Sequence, residues 1–159
     1  MSKNVVYFCI LQNRLKSSGM KTASLLILTL LVASGFNGCK TTEYKPGNFP
    51  DTQLRWGNGG GIVGKETLYY LLDNGQLFKK SGNENIVEFG KIKAKKAKAL
   101  YTNIEDLKLG TREFKHAGNT YQFVEVLNGD SVNRIVWGDG TPVEPDVQAL
   151  YNTLSGLVQ

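Results

Sequence analysis

YQFVEVLNGDSVNRIVW, residues 121–137, reads as a β-hairpin, and that reading sets the fold class. Tyr121 to Leu127 alternates as a half-buried strand does, Asn128-Gly129-Asp130 supplies a turn, and Val132 to Trp137 returns. A second stretch repeats the grammar. ETLYYLL, Glu66 to Leu72, meets Asp73-Asn74-Gly75 and continues as a partner strand over Gln76 to Lys80. An Asn-Gly step between apolar runs predicts a tight two-residue turn, because both of its central positions need positive φ. Gln53 to Trp56 and Ile86 to Phe89 add shorter strands.

Helical spacing replaces alternation in two places. In AKKAKALYTNIEDL the residues Ala97, Leu100, Tyr101, Ile104 and Leu107 form an apolar stripe, Lys91, Lys95 and Lys98 project away from it, and Gly110 stands as a stop signal. A second helix is predicted from Pro145, with Val147, Leu150, Tyr151 and Leu154 as its buried face. Strands, helix, hairpin, helix is the order of an α+β domain. The expectation is one small domain over 51–159, an antiparallel sheet of five or six strands with both helices on one face.

GGGIVGKET, residues 59–67, comes within one residue of a phosphate-binding loop. Gly59, Gly64 and Lys65 fit G-x-x-x-x-G-K, but Glu66 replaces the hydroxyl residue that would reach magnesium. A strand rather than a helix is predicted next, so no helix N-terminus would point at a phosphate. No nucleotide is expected. The run Trp56 to Gly64 therefore has two readings. Its glycines form a wide turn or bulge between strands, or else Gly59, Gly60, Gly61 and Gly64 leave bare backbone on which a ligand or peptide edge docks near Trp56.

Catalytic patterns are sparse. His116 is the sole histidine, which excludes multi-histidine metal sites, and it reads as a solvent-facing loop residue. A serine triad would need it beside Ser81, Ser131 or Ser155, none of which lies in a nucleophile-elbow motif. No metal or other cofactor is expected. The lysines at 91, 93, 95, 96 and 98 read as the solvated face of a helix, or as an electrostatic contact with anionic headgroups or an acidic partner.

The start of the chain has its own logic. From Met20 a lysine, an apolar run from Leu25 to Val32 and small residues ending in Gly38-Cys39 have the three-part form of an export signal. The run is far shorter than the about 20 residues of a membrane-spanning helix. FNGC, residues 36–39, resembles the lipobox of bacterial lipoproteins, which implies cleavage between Gly38 and Cys39 and acylation of Cys39. An ordinary secretory signal with a chance cysteine is the competing reading. Translation is expected to begin at Met20, making 1–19 an upstream extension, 20–38 the signal peptide, and 39–50 the lipidated cysteine with a flexible tether. Lys3, Arg14, Lys16 and Lys21 precede Cys39 and no acidic residue does, so the formal charge of +5 falls to +1 after the cut. The basic character that would suggest nucleic acid belongs to the leader, and no nucleic-acid partner is expected.

GGGIVG before an aromatic strand ending in DNGQLF, KAKKAKALY opening a helix, and NTYQFVEV followed by NRIVWGDG together resemble a group of small bacterial lipoproteins of uncharacterised function. That resemblance spans most of residues 53–154 and implies no reaction, ligand or catalytic residue. In lipoproteins generally the residue after the cysteine influences sorting, and Lys40 in place of aspartate implies the outer membrane, with CKTTEY favouring its periplasmic face. The expected function is a non-enzymatic binding or envelope-assembly module, held in the bilayer through acylated Cys39 and contacting an envelope protein or peptidoglycan-associated partner. The alternative is a small envelope hydrolase.

Overall fold

In the computed structural model, which describes residues 42–159, the chain first lays down strands β1 (Thr52–Gly60), β2 (Thr67–Leu71), β3 (Gln76–Ser81) and β4 (Val87–Lys91). Helix α1 (Ala94–Asp106) and a two-residue strand β5 (Lys115–His116) follow. The hairpin β6 (Thr120–Asn128) and β7 (Ser131–Gly138) precedes the closing helix α2 (Pro145–Ser155). The strands form one sheet in the order β4-β3-β2-β1-β6-β7-β5, antiparallel except for the β5–β7 pair. The class is α+β. The sheet has seven strands rather than five or six, because Lys115 and His116, read as loop, pair in parallel with Val136 and Trp137.

Alternation decides what each face buries. Leu54 and Trp56 of β1, Leu71 of β2, Val124 of β6, and Ile135 and Trp137 of β7 point to one side. There they meet Ala97, Leu100 and Ile104 of α1 and Val147, Leu150, Tyr151 and Leu154 of α2. Each such aliphatic side chain removed from water contributes about 2 kcal/mol. The Tyr101 hydroxyl pins α1 to the sheet, accepting from the Leu54 N–H at 3.1 Å and donating to the Leu71 carbonyl at 2.7 Å. Burial holds that phenol well above its ordinary pKa.

Two local expectations change, and the turn of the second hairpin stands. At 73–75 the Gly75 N–H bonds the Leu72 carbonyl at 2.9 Å and the Leu72 N–H bonds the Gln76 carbonyl at 3.0 Å. Only Gly75 there has positive φ, so the connection is a three-residue loop with glycine in its bulge position rather than a two-residue turn. Gly129, with φ of 60°, opens the two-residue loop between Asn128 and Ser131. Lys91 ends β4 and is not helical.

The first helix also stops before Gly110. Lys108 takes φ of 53° while the Leu109 N–H reaches the Ile104 carbonyl at 3.1 Å and the Lys108 N–H reaches Glu105 at 2.9 Å. This is the paired-bond helix stop that normally employs glycine, with Leu109 buried as its apolar contact. A lysine there carries a left-handed penalty. Lys108→Gly is expected to stabilise the protein by about 1 kcal/mol, read as a higher midpoint in urea.

The segment expected to be a free tether is, from Thr42 onward, part of the body. Phe49 packs on Tyr70 and Phe78 with ring centroids 5.6 and 4.7 Å apart, and with Tyr44 it covers the apolar patch of Tyr70, Leu72 and Phe78 on the face away from the helices. Gln76, buried within β3, holds the segment by its side-chain amide. Its Oε1 accepts from the Tyr44 N–H at 2.7 Å and from the Asn74 amide, while its Nε2 donates to the Tyr44 carbonyl at 3.2 Å and to Glu88 at 2.9 Å. Proline and glycine in this stretch prevent a regular strand without preventing docking. Among the described residues no helix is long and apolar enough to cross a membrane.

Candidate functional site

The glycine run is built from two parts with different jobs. Strand β1 continues through it to Gly60, longer than the stretch expected to end at Trp56. Gly57 faces Phe123 and Gly59 faces Tyr121 across the β1–β6 pair, and the two rings lie over the bare strand. A Cβ at Gly57 would come within 2.9 Å of Phe123 Cζ and 1.9 Å of the Thr67 carbonyl oxygen, and one at Gly59 within 2.6 Å of the Tyr121 hydroxyl. Aromatic area on β6 thus replaces the side chains that β1 lacks.

A polar layer closes over those rings. The Arg134 guanidinium sits 3.6 Å from the Phe123 centroid and reaches Glu66 at 2.5 Å and Glu125 at 3.7 Å. Arg55 bonds Glu125 at 3.0 Å and lies 5.1 Å over Tyr70. The Tyr121 hydroxyl donates to Glu66 at 2.9 Å, and burial with that carboxylate beside it raises the phenol above its usual pKa. Phe123 is consequently fully buried although it sits on the face opposite the helices.

Beyond Gly60 the chain leaves the sheet. Gly60 has φ of 93° and a Cβ there would lie 2.0 Å from the Asn119 carbonyl oxygen, so glycine is required on two counts. The Gly61 N–H then bonds that same carbonyl at 2.7 Å, and the Gly64 N–H closes back on the Gly61 carbonyl at 3.0 Å. Ile62 and Val63 occupy the corners of this turn and are 107% and 84% exposed. Two aliphatic side chains are thereby presented to water on a tied frame. Beside them Lys65 pairs with Glu84 at 2.8 Å.

A cleft of about 630 Å³ opens at the same end of the sheet, lined by Asn58, Lys65, Gln122 and Gln148 among others. Its rim is the Gly138-Asp139-Gly140 turn. Asp139, at φ of 49°, accepts from the Asn119 N–H and from the Thr120 N–H at 3.2 Å. Those backbone donors hold its carboxyl below the ordinary value near 3.8. A group with a depressed folded pKa stabilises the fold above its unfolded pKa, and that contribution is lost as pH falls through the folded one. Asp139→Asn is expected to flatten the fall in Tm below about pH 4, checked by melts from neutral to acid.

The sequence-predicted residues divide between two ends. Gly59, Gly60, Gly61 and Gly64 lie around the exposed turn. Lys91 pairs with Gln76 at the opposite end of the sheet, and Lys95 and Lys98 line a shallow cavity with Asp73 there. Trp56 lies between them, 1% exposed in the helix-side core and stacked on Tyr69. Its Nε1 is the one buried side-chain polar atom without a partner among the described residues. Gly38 and Cys39 lie outside the described residues.

Ile62 and Val63 are not among the sequence-predicted residues, although an apolar pair between glycines after a strand is a legible signal. His116 is exposed on β5 against Phe114, beside Trp137. Ser131 stands at the other end of β7, about 20 Å away at ~3.3 Å per residue, so these two do not meet. Among the described residues no three His, Cys, Asp or Glu side chains cluster as a metal site. In comparison with known proteins, no family model matches the chain and no curated protein matches it.

Proposed function

We propose that the mature protein is a lipid-anchored module of the bacterial envelope that binds a partner rather than turning over a substrate. Acyl chains on Cys39 hold it to the periplasmic face of the outer membrane. The Ile62-Val63 turn and its neighbouring cleft meet an envelope protein or a peptidoglycan-associated component. The observation that carries the binding half is the exposure of Ile62 and Val63 on a turn tied down by Gly60, Gly61 and Asn119. Exposed apolar groups beside a polar rim are the composition of contact surfaces. Anchoring rests on the signal and lipobox-like sequence from Met20 to Cys39. One acyl chain binds a bilayer marginally and two or more bind stably.

Each half has its own test. Intact-mass measurement of protein purified from membranes is expected to show a chain beginning at Cys39 and carrying lipid, and Gly38→Asp is expected to block processing. A bare thiol in the soluble fraction would end the anchoring half. The double substitution Ile62→Asp and Val63→Asp removes no packing and is expected to change stability by less than about 0.5 kcal/mol. It is expected to abolish crosslinking of the stoichiometric partner captured by the wild type from solubilised membranes. Undiminished capture by that folded variant would remove the turn from the binding surface.

A further inference from the structure

The point where the chain joins the folded body is fixed by hydrogen bonds. Asn74 donates to the Thr42 carbonyl at 2.6 Å, and Gln76 brackets Tyr44 from both sides. Only Lys40 and Thr41 separate Thr42 from Cys39. Three Cα steps span at most about 11 Å. A bilayer holding Cys39 therefore lies within that reach, plus the acyl linkage, of the loop at 73–75.

The lysine cluster occupies the same corner. Lys91 is in register with Gln76, Lys93 precedes α1, and Lys95 and Lys98 line the shallow cavity of about 430 Å³ that Asp73 and Tyr101 complete. Lys91, Lys93, Lys95, Lys96 and Lys98 are all exposed, and among the described residues none is ion-paired. Acidic groups at this corner are fewer: Glu43, Asp73 and Glu88, of which Glu88 accepts from Gln76 and Asp73 faces the Tyr44 hydroxyl. Asp51, Asp130, Glu105 and Asp106 lie towards the β6–β7 loop and the far end of α1. Nor does helix stability account for the lysines, since the first turn of α1 has no acidic residue or side-chain cap and cations there oppose the helix dipole.

We propose that the lysine corner formed by the end of β4 and the start of α1 is a second membrane contact, resting on the phosphate groups of anionic lipids and holding the Ile62-Val63 turn away from the bilayer. This rests on the anchored reading of Cys39, but its chemistry is independent of the acyl chains. Each lysine near such a surface changes binding about fivefold, an effect that salt weakens.

The test uses processed chain purified from membranes, carrying a fluorophore on Ala94→Cys or on Val63→Cys. Each is mixed with phosphatidylethanolamine vesicles containing about one quarter phosphatidylglycerol and a headgroup quencher. Quenching is expected to be at least about threefold greater at 94 than at 63. That contrast should shrink in high salt and be lost with Lys91→Gln, Lys95→Gln and Lys98→Gln combined. Equal or greater quenching at 63, or a triple variant indistinguishable from its parent, overturns the proposal. Intact mass of the same preparation separates the two readings. Unacylated protein, made with Cys39→Ser so that the dye at 94 is not joined by one at 39, supports the lysine surface if it is still quenched there, whatever becomes of the anchor; acylated protein without the contrast retains the anchor and loses the surface.

Discussion

Gly57→Ala is expected to lower stability by about 3 kcal/mol, a fall in Tm of more than about 10 °C, although it adds a single methyl group. The added carbon would stand 1.9 Å from the Thr67 carbonyl oxygen, which belongs to the neighbouring strand and can move only if β1 and β2 separate locally. It would also press on Phe123, fully buried beneath Arg134. Gly59→Ala makes the contrast. There the obstruction is the end of the Tyr121 ring, which can swing outward, so a cost of about 1 kcal/mol is expected. Truncating Tyr121 should erase most of the additional cost at 59, whereas Phe123→Ala should not rescue Gly57→Ala, because the backbone obstruction remains. A Gly57→Ala protein that melts with the wild type would show that the aromatic layer and the β1–β2 pairing are looser than described.

That pair of glycines also explains why alternation marks only part of β1. Strands that carry their own side chains, such as Tyr121 to Leu127 and Glu66 to Leu72, announce themselves by alternation. Strand β1 loses its signal at Gly57 because the area that makes it a strand is contributed by Tyr121 and Phe123, more than sixty positions later in the chain. Strand β5 has two residues and no periodicity of its own, and exists because β7 offers an edge. Both helices were legible from their stripes, yet the stop at Lys108 was not, since a lysine gives no hint of positive φ. The glycines and lysines looked like separate candidate contacts, and only register places them at opposite ends of the sheet. The exposed Ile62-Val63 pair is masked for the converse reason: the glycines around it resemble a nucleotide motif, although an apolar pair between glycines is itself the mark of an exposed turn.

Gln76→Leu is expected to cost about 3 kcal/mol and to free the segment from Thr42 to Phe49. Leucine fills a similar volume but answers none of the four hydrogen bonds that the amide makes with Tyr44, Asn74 and Glu88. A buried polar group left unpaired costs about 1–3 kcal/mol, and several would be left at once. Release lets water reach those groups and returns about 1–2 kcal/mol of backbone entropy per residue freed. Detachment is thus the cheaper outcome, with exposure of Tyr70, Leu72 and Phe78 as its cost. Hydrogen exchange at the Tyr44 amide is the direct measurement, with protection expected to fall by about a hundredfold. Unchanged protection would mean that Phe49 packing alone holds the segment. In an anchored protein the same substitution lengthens the free chain from about 11 Å, between Cys39 and Thr42, to about 40 Å, between Cys39 and Asp51. The quenching contrast between positions 94 and 63 should then shrink with every lysine still in place, because Gln76 no longer keeps the lysine corner beside the anchor and only the attraction of the lysines for anionic headgroups still orients the body.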